Sequence, residues 1–191
     1  MPANTVQELV DLLKREPGRY FYGSGGNATI AHLSMELFMN MTATEAVHVP
    51  YRGSAPLMTD LIGGNVQLDF DSPALAMQHV ETGKLKVLGI SSTQRSVLAP
   101  DIPTIAESGV PGFNVMGWYG ILTPAGTPAT VVERLSKELN SIIEDPKIKD
   151  QLASQGLEPM GMDSPQFSLF LKEEAEKWGA LVKSQNITIE Q

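Results

Sequence analysis

Short apolar segments alternate with amphipathic ones along the first half of the chain. Thr5, with Glu8 three residues later, forms a capping box that predicts a helix start, and apolar side chains at helical spacing follow until Pro17. Aromatic and β-branched runs further on predict strands, each followed by a helical pattern. This alternation indicates an α/β fold with a mostly parallel sheet and helices on both faces, because parallel neighbours need crossover connections. The predicted strands are residues 20–22, 46–49, 66–70 and 85–90, and the intervening helices begin near residues 29, 55 and 73.

Proline and glycine interrupt the periodic pattern between residues 91 and 112. We place a linker and a domain boundary in this segment, which gives domains over residues 1–113 and 114–191. The second domain begins with a predicted strand over residues 115–122. Three helices follow, and each is predicted to begin with an N-cap residue and a proline at the first helical position. The three starts are Thr127-Pro128, Asp145-Pro146 and Ser164-Pro165.

The C-terminal helices carry apolar faces that a single strand cannot cover. Apolar residues recur at a helical period from Val131 to Ile143 and again from Phe167 to Val182. Only a short segment near residues 158–162 could add a further strand. We therefore expect a missing segment or another chain to complete this domain, most simply in a twofold homodimer.

Composition narrows the classes of function. The 191 residues, of which 42% are hydrophobic and 19% charged, suffice to bury the core of one or two domains. A net charge of -8 repels nucleic acid and anionic lipid, so neither is an expected partner, and an anionic ligand needs local N–H groups or an arginine to attract it. No stretch approaches the roughly 18 apolar residues of a membrane span, and we expect no signal peptide. The lack of cysteine excludes disulfides and thiol chemistry.

The strongest local signal is the glycine-rich segment from Gly23 to Thr29, between a predicted strand and a predicted helix. Glycines let backbone N–H groups approach a ligand, and the helix N-terminus adds partial positive charge, so the segment predicts an anion site. Two other interpretations stay open. The segment fits the dinucleotide pattern G-x-G-x-x-A, with Arg52 able to meet a 2′-phosphate, although no ribose-binding acid follows the next strand. It could also be an ordinary turn that binds nothing.

Few other residues suggest chemistry. His32, His48 and His79 lack the spacing of metal ligands and are expected at the surface or in packing, so no metal and no cofactor is predicted. Asp69 and Asp71 share one face of a strand end, where Asp71 could accept a hydrogen bond from a ligand or cap the strand. No nucleophile elbow, phosphate loop or Ser/His/Asp arrangement follows from the spacing, which argues against an enzyme.

Five ordered motifs resemble a single family over nearly the whole chain. They are Tyr22-Gly23-Ser24-Gly25-Gly26-Asn27, His48-Val49-Pro50-Tyr51-Arg52-Gly53-Ser54-Ala55-Pro56, Pro103-Thr104-Ile105-Ala106-Glu107-Ser108-Gly109, Trp118-Tyr119-Gly120 and Pro124-Ala125-Gly126-Thr127-Pro128. This set resembles the substrate-binding proteins of tripartite tricarboxylate transporters, also called the Bug family. The resemblance implies a Venus-flytrap fold, a periplasmic location, and capture of small carboxylates for the membrane subunits of a transporter.

The resemblance also implies a binding site and an incomplete architecture. A loop like residues 24–29 would grip one ligand carboxylate through backbone N–H groups and hydroxyls. Members of the family carry further N-terminal residues, so residues 1–113 are expected to form the whole second lobe, and 114–191 a crossing strand and the C-terminal helices of an incomplete first lobe. Half of such a clamp is expected to bind weakly, because lobe closure desolvates the ligand. A sensory or interaction module on the same lobe is the alternative. The expected site residues are Ser24, Gly25, Gly26, Asn27, Thr29, Tyr51, Arg52 and Asp71.

Overall fold

The fold comes from a computed structural model, which describes residues 1–188. The described chain divides into two compact units, one formed by Met1–Gly117 with residues 181–188 and the other by Trp118–Ala180. No helix in the described part of the chain is long and apolar enough to cross a membrane. The helices are α1 (Val6–Arg15), α2 (Ile30–Thr42), α3 (Ser54–Gly63), α4 (Pro73–Glu81), α5 (Ala129–Glu144), α6 (Pro146–Ser154) and α7 (Ser164–Ser184), and the strands are β1 (Phe21–Ser24) and β2 (Val47–Pro50).

A small parallel sheet organises the first unit. β1 and β2 pair in parallel, with Ser24 opposite Pro50 at their carboxyl ends. On the other side of β1, Tyr22 forms a parallel bridge with Leu68. The strand predicted over residues 66–70 is present only as this bridge, because the backbone pairs with β1 at Leu68 and goes no further along its edge. The spatial order is therefore β2, β1 and then the segment that ends at Leu68.

The helices of the first unit follow the predicted pattern. Thr5 caps α1 by accepting a hydrogen bond from the Glu8 N–H at 3.1 Å, which confirms the predicted helix start. The Glu8 carboxylate accepts from the Asn4 N–H at 2.7 Å and so satisfies a second donor at the helix entrance. α2 and α3 both contact β1. Tyr22 and Leu13 are fully buried in the resulting core.

The segment predicted to be a linker packs into the first unit. Ile90 forms a parallel bridge with Thr104, and this bridge is all that remains of the strand predicted over residues 85–90. Phe113 is completely buried, and its ring contacts those of Phe38 and Phe70 with centroids about 6 Å apart. Apolar side chains in the segment thus anchor an irregular backbone that has little secondary structure of its own.

The three C-terminal helix starts differ from one another. Asp145 caps α6 by accepting from the Lys147 N–H at 2.8 Å, as predicted. The prediction is wrong for α5, where Pro128 occupies the N-cap position and the helix begins one residue later. It is also wrong for α7, because Asp163, rather than Ser164, accepts from the Gln166 N–H at 2.8 Å. The Gln166 side chain accepts in return from the Asp163 N–H, which completes a capping box.

The strand predicted over residues 115–122 is wrong. Val115 is buried in the first unit, and its N–H donates to the Ser91 carbonyl at 2.8 Å. From Trp118 to Leu122, an irregular segment, Tyr119 is 89% exposed and Leu122 is 70% exposed. A strand needs a neighbour to accept and donate its backbone hydrogen bonds, and within residues 1–188 no strand pairs with this segment.

Apolar side chains of the second unit lie open to solvent. The unit contains a cluster of aromatic rings formed by Trp118, Phe167 and Phe170. No side chain of Trp118–Ala180, all of which the structure describes, is fully buried. The predicted apolar face of α5 is accordingly only partly covered, because the unit has few elements to pack against it. Its exposed members are Val131, Leu135 and Ile142.

Candidate functional site

Three loops converge at the carboxyl edge of the sheet in the first unit. The glycine loop, Ser24–Thr29, follows β1, and the segment 51–53 follows β2. Asp69 and Asp71 follow the segment that pairs with β1 at Leu68. Ligands of open α/β sheets bind beyond the carboxyl ends of the strands, so this edge is the candidate site.

Backbone conformation explains the glycines of the glycine loop. Gly26 has a φ of +140°, which side-chain-bearing residues rarely adopt. Gly25 packs close to a neighbouring loop, because a Cβ there would lie 3.7 Å from the Gly53 Cα. Ala28 is left-handed at a φ of +57°, an uncommon conformation for a residue with a Cβ. The loop is therefore held in a specific shape rather than being a flexible turn.

The N–H groups of the glycine loop fall into two sets. The Gly26 N–H donates to Ser24 Oγ at 3.3 Å and the Ala28 N–H to His32 Nδ1 at 3.0 Å. In the described residues, the N–H groups of Gly25, Asn27 and Ile30 donate to no protein acceptor. Ile30 opens α2, so this second set lies where a helix N-terminus contributes partial positive charge. These are the donors that the loop can offer to an anion.

The hydroxyl groups of the glycine loop are engaged inside it. Thr29 Oγ1 donates to the Gly26 carbonyl at 2.8 Å, and its side chain makes no capping bond to α2. Ser24 is completely buried, and its Oγ lies 2.8 Å from the Gly26 carbonyl and 2.7 Å from His48 Nε2. Both hydroxyls thus stabilise the turn around Gly26.

Tyr51 and Arg52 flank the glycine loop from the end of β2. The Tyr51 N–H donates to the Ser24 carbonyl at 2.9 Å, which joins the two loops. Its hydroxyl donates to Asp60 Oδ2 at 2.8 Å, and burial together with this carboxylate raises the pKa of Tyr51 to about 12. Arg52 is exposed, and it forms no ion pair with any described residue. Its guanidinium is a cation free to meet an anionic ligand.

Two carboxylates occupy the adjacent strand end. Asp71 Oδ1 accepts from the Ser72 N–H at 2.8 Å, while Asp71 Oδ2 and both oxygens of Asp69 are buried without a hydrogen-bond partner. Burial, followed by the charge of Asp71, raises the pKa of Asp69 to about 7. Burial also raises the pKa of Asp71. Buried polar atoms without partners are uncommon in proteins, and they are candidates for contact with a ligand or its waters.

A buried polar cluster behind the glycine loop was missed in the sequence. The rings of His32 and His48 stack with centroids 3.9 Å apart, and Glu36 and Tyr22 extend the cluster. His32 is only 7% exposed, so of the two expected settings, the surface or packing, it has the second, within a polar cluster that was not predicted from the sequence. The spacing of His32 and Glu36, four residues apart on α2, was the available signal. Asp69 was not among the expected site residues for a different reason. Its burial depends on the neighbouring strands, which its local sequence does not specify.

A metal site does not emerge from these side chains. Within residues 1–188, no three His, Asp or Glu side chains converge closely enough to hold a metal ion. Backbone donors, one arginine and two carboxylates are instead suited to an organic acid with additional hydrogen-bonding groups.

Comparison with known proteins gives one family. Residues 1–187 match the family model described as “Tripartite tricarboxylate transporter family receptor”. A protein in the tcbD-tcbE intergenic region of a Pseudomonas species is 34% identical over 187 residues, which are 97% of this chain and 56% of that protein. The chain thus spans a little over half the length of this relative.

Solved structures show the same fold. An R. palustris protein solved with adipate is 31% identical, with a TM-score of 0.85 over 98% of this chain and 63% of the other. MatC from Rhodopseudomonas palustris, solved with bound malate, is 25% identical, with a TM-score of 0.77 over 95% of this chain and 63% of the other. The periplasmic binding protein BugD also matches, with a TM-score of 0.80. The architecture is therefore part of a two-lobed, Venus-flytrap binding protein.

Proposed function

The chain belongs to the tripartite tricarboxylate transporter family of receptors, and on that premise we propose that it binds a small carboxylate at the glycine loop. The family consists of solute-binding proteins and not of enzymes, so the loop serves capture rather than catalysis. The observation that carries the proposal is the set of uncommitted N–H groups of Gly25, Asn27 and Ile30. In a chain of net charge -8, such a set supplies the local positive potential that a carboxylate needs.

The eight expected site residues divide into two roles in this proposal. Gly25 and Asn27 donate N–H groups to the carboxylate, Arg52 adds a positive charge, and Asp71 accepts from a ligand hydroxyl, amine or bridging water. The remaining residues hold the donors in place through their hydrogen bonds within and between the loops. This supporting set is Ser24, Gly26, Thr29 and Tyr51.

The ligand we propose is a small dicarboxylate. Adipate and malate, bound by two solved relatives, each place a second carboxylate a few bonds from the first. We further propose that the protein acts in the periplasm and passes its ligand to the membrane subunits of a tripartite transporter.

Only one lobe contributes the loops of this site. We propose that residues 1–113 act as a ligand-binding lobe and that residues 114–191, most of which form the compact unit Trp118–Ala180, belong to the other lobe, whose remainder the longer relatives carry. Closure of two lobes strengthens binding by excluding water from the ligand. This chain by itself is therefore expected to bind weakly, and a second copy is proposed to cover the apolar surface of Trp118–Ala180.

Calorimetric titration of adipate and malate into the chain, beside the neutral diamide of adipate, tests the proposal. The acids are expected to bind and the diamide is not, because only a carboxylate gains from the helix N-terminus. Gly26→Val is expected to abolish binding, since valine at a φ of +140° would distort the glycine loop.

Gly83→Val is the matched control. Gly83 also has a positive φ, +71°, but follows α4 with nothing within 4 Å of an added Cβ. The Gly83→Val variant is expected to be less stable than the unmodified chain and to keep the same affinity for adipate. Equal affinity of Gly26→Val and the unmodified chain for adipate would refute the site.

A further inference from the structure

Two stacked histidines support the glycine loop from behind. His32, on α2, and His48, on β2, lie with ring centroids 3.9 Å apart and planes 9° from parallel. The Tyr22 ring stacks on His48 at 4.8 Å. The cluster therefore connects β1, β2 and α2 directly beneath the loop that starts at Ser24.

Hydrogen bonding fixes the state of His32. Its Nδ1 accepts from the Ala28 N–H at 3.0 Å, which requires this nitrogen to be unprotonated. In the neutral ring the proton therefore lies on Nε2, which faces Glu36 Oε1 at 3.7 Å. The same oxygen accepts from the Tyr22 hydroxyl at 2.5 Å. The titratable groups facing this ring are thus Tyr22 from β1, Glu36 from α2 and His48 from β2.

The bond to Ala28 holds the backbone in an unfavourable conformation. A left-handed φ of +57° is costly for alanine, and the His32 acceptor offsets that cost. His48 acts on the other side of the turn through Ser24 Oγ, which also receives the Gly26 N–H. His32 thus engages the Ala28 N–H directly, and His48 engages the Gly26 N–H through Ser24 Oγ. The N–H groups of Gly25 and Asn27 stay uncommitted.

We propose that His32 and His48 are positioning residues that, in their neutral form, hold the glycine loop with its Gly25 and Asn27 N–H groups ready for a carboxylate. This inference rests on the proposed function. A proton on His32 Nδ1 would face the Ala28 N–H as donor against donor, so only the neutral ring can support that side of the loop. Burial and the adjacent His32 lower the pKa of His48 to about 4, which agrees with a neutral His48 at ordinary pH.

Three variants separate positioning from general stability. His32→Leu removes the acceptor and keeps a buried side chain, while His32→Asn retains an acceptor near the position of Nδ1 and cannot titrate. His79→Asn, on α4, is the matched control because that histidine lies outside the cluster. Circular dichroism establishes that each variant folds.

Hydrogen exchange at the Ala28 amide is the readout that needs no ligand. Protection is expected to fall about tenfold in His32→Leu and to stay within about threefold of the unmodified chain in His32→Asn, the scale of one lost hydrogen bond.

Adipate affinity at neutral pH is the functional readout. His32→Leu is expected to bind about tenfold more weakly, and His32→Asn within about threefold of the unmodified chain. His79→Asn should follow the unmodified chain.

The outcomes are distinguishable. Unchanged Ala28 protection in His32→Leu, or an equal loss of protection in His32→Leu and His32→Asn, would overturn the positioning role. The expected exchange pattern with no adipate binding would leave the loop support established and refute the proposed function instead.

Discussion

Asp69 lies in an environment that favours its protonated form. Both its oxygens are buried without partners, and burial raises its pKa from 3.8 to about 7. A carboxyl whose pKa is higher in the folded state contributes stability below the unfolded pKa and loses that contribution as pH rises through the folded value. The folded chain therefore carries a cost at this position above about pH 7, which a binding site can tolerate for the sake of a ligand.

Asp69→Asn is expected to raise the free energy of unfolding by about 1 to 3 kcal/mol at pH 8, because the amide removes the buried charge. The gain should shrink as pH falls and become small near pH 4, where the folded carboxyl is protonated and the unfolded one is about half protonated. Denaturant titrations followed by circular dichroism at both pH values measure the effect. Asp101→Asn, at an exposed position, is the control and should change little. A gain of equal size at pH 4 would show that the buried charge is not its cause.

The contribution of His48 to the free energy of unfolding depends on pH in the opposite direction to that of Asp69. Its folded pKa of about 4 lies below the usual 6.5, so the neutral ring contributes stability that is complete above about pH 6.5 and lost as pH falls to about 4. His48→Gln keeps a polar side chain near Ser24 and cannot titrate. The variant should gain about 1 to 3 kcal/mol relative to the unmodified chain between those pH values.

His48→Gln must be compared with the unmodified chain at each pH, because the titration of Asp69 changes the free energy of unfolding in the opposite direction over a similar pH range. His79→Gln is the control for His48→Gln and should follow the unmodified chain. Parallel pH profiles for His48→Gln and the unmodified chain would show that His48 is not buried in its neutral form.

At the scale of elements, α7 depends on its first turn. Asp163 and Gln166 exchange two hydrogen bonds at its start, whereas Ser164, the predicted cap, only accepts from Ser168 through its carbonyl. Asp163→Ala should therefore destabilise the helix by about 1 kcal/mol, and Ser164→Ala should change little. Denaturation followed by tryptophan fluorescence is suitable because Trp118 and Trp178 lie in the same unit. A larger loss of stability in Ser164→Ala than in Asp163→Ala would show that Ser164 is the cap.

The helices of the first unit could be predicted from sequence more closely than its strands. α4 is predicted to begin near Pro73 and does so, because a proline at the first helical position and apolar spacing are local properties. Residues 66–70 and 85–90 have strand composition, but pairing requires partners elsewhere in the chain, and each forms only a single bridge. The prediction for residues 115–122 failed for the same reason, since its neighbours are not among the described strands.

The candidate site was also predictable only in its local part. The glycine loop has a sequence signature because a strand, glycines and a helix start follow one another. The pairing of His32 with His48 depends on β2 lying beside β1, which no local pattern specifies. The same applies to Asp69, whose burial is set by the sheet edge on which it lies.

At the scale of the whole molecule, the second unit exposes several large apolar side chains. Leu135 is 43% exposed and Ile142 50% on one face of α5, and Leu122 is 70% exposed in the preceding segment. Fully burying each such side chain stabilises a protein by roughly 1.5 to 3 kcal/mol, so several together equal the stability of a small domain. Exposed apolar surface on this scale marks an interface. The longer relatives have further chain that could cover it, and a second copy is the simplest substitute.

The chain alone is therefore expected to form a twofold dimer at micromolar concentration, with the α5 face buried between copies. Light scattering should give about twice the mass of one chain, and Val131→Glu combined with Leu135→Glu should return it to the monomer, because two carboxylates would be buried without partners. Arg134→Glu on the same helix is the control, because Arg134 lies outside the apolar face. This substitution changes the net charge by two, which is more than Val131→Glu or Leu135→Glu does alone. A monomeric chain whose second unit is nevertheless protected in hydrogen exchange would show that these helices close a core within one copy.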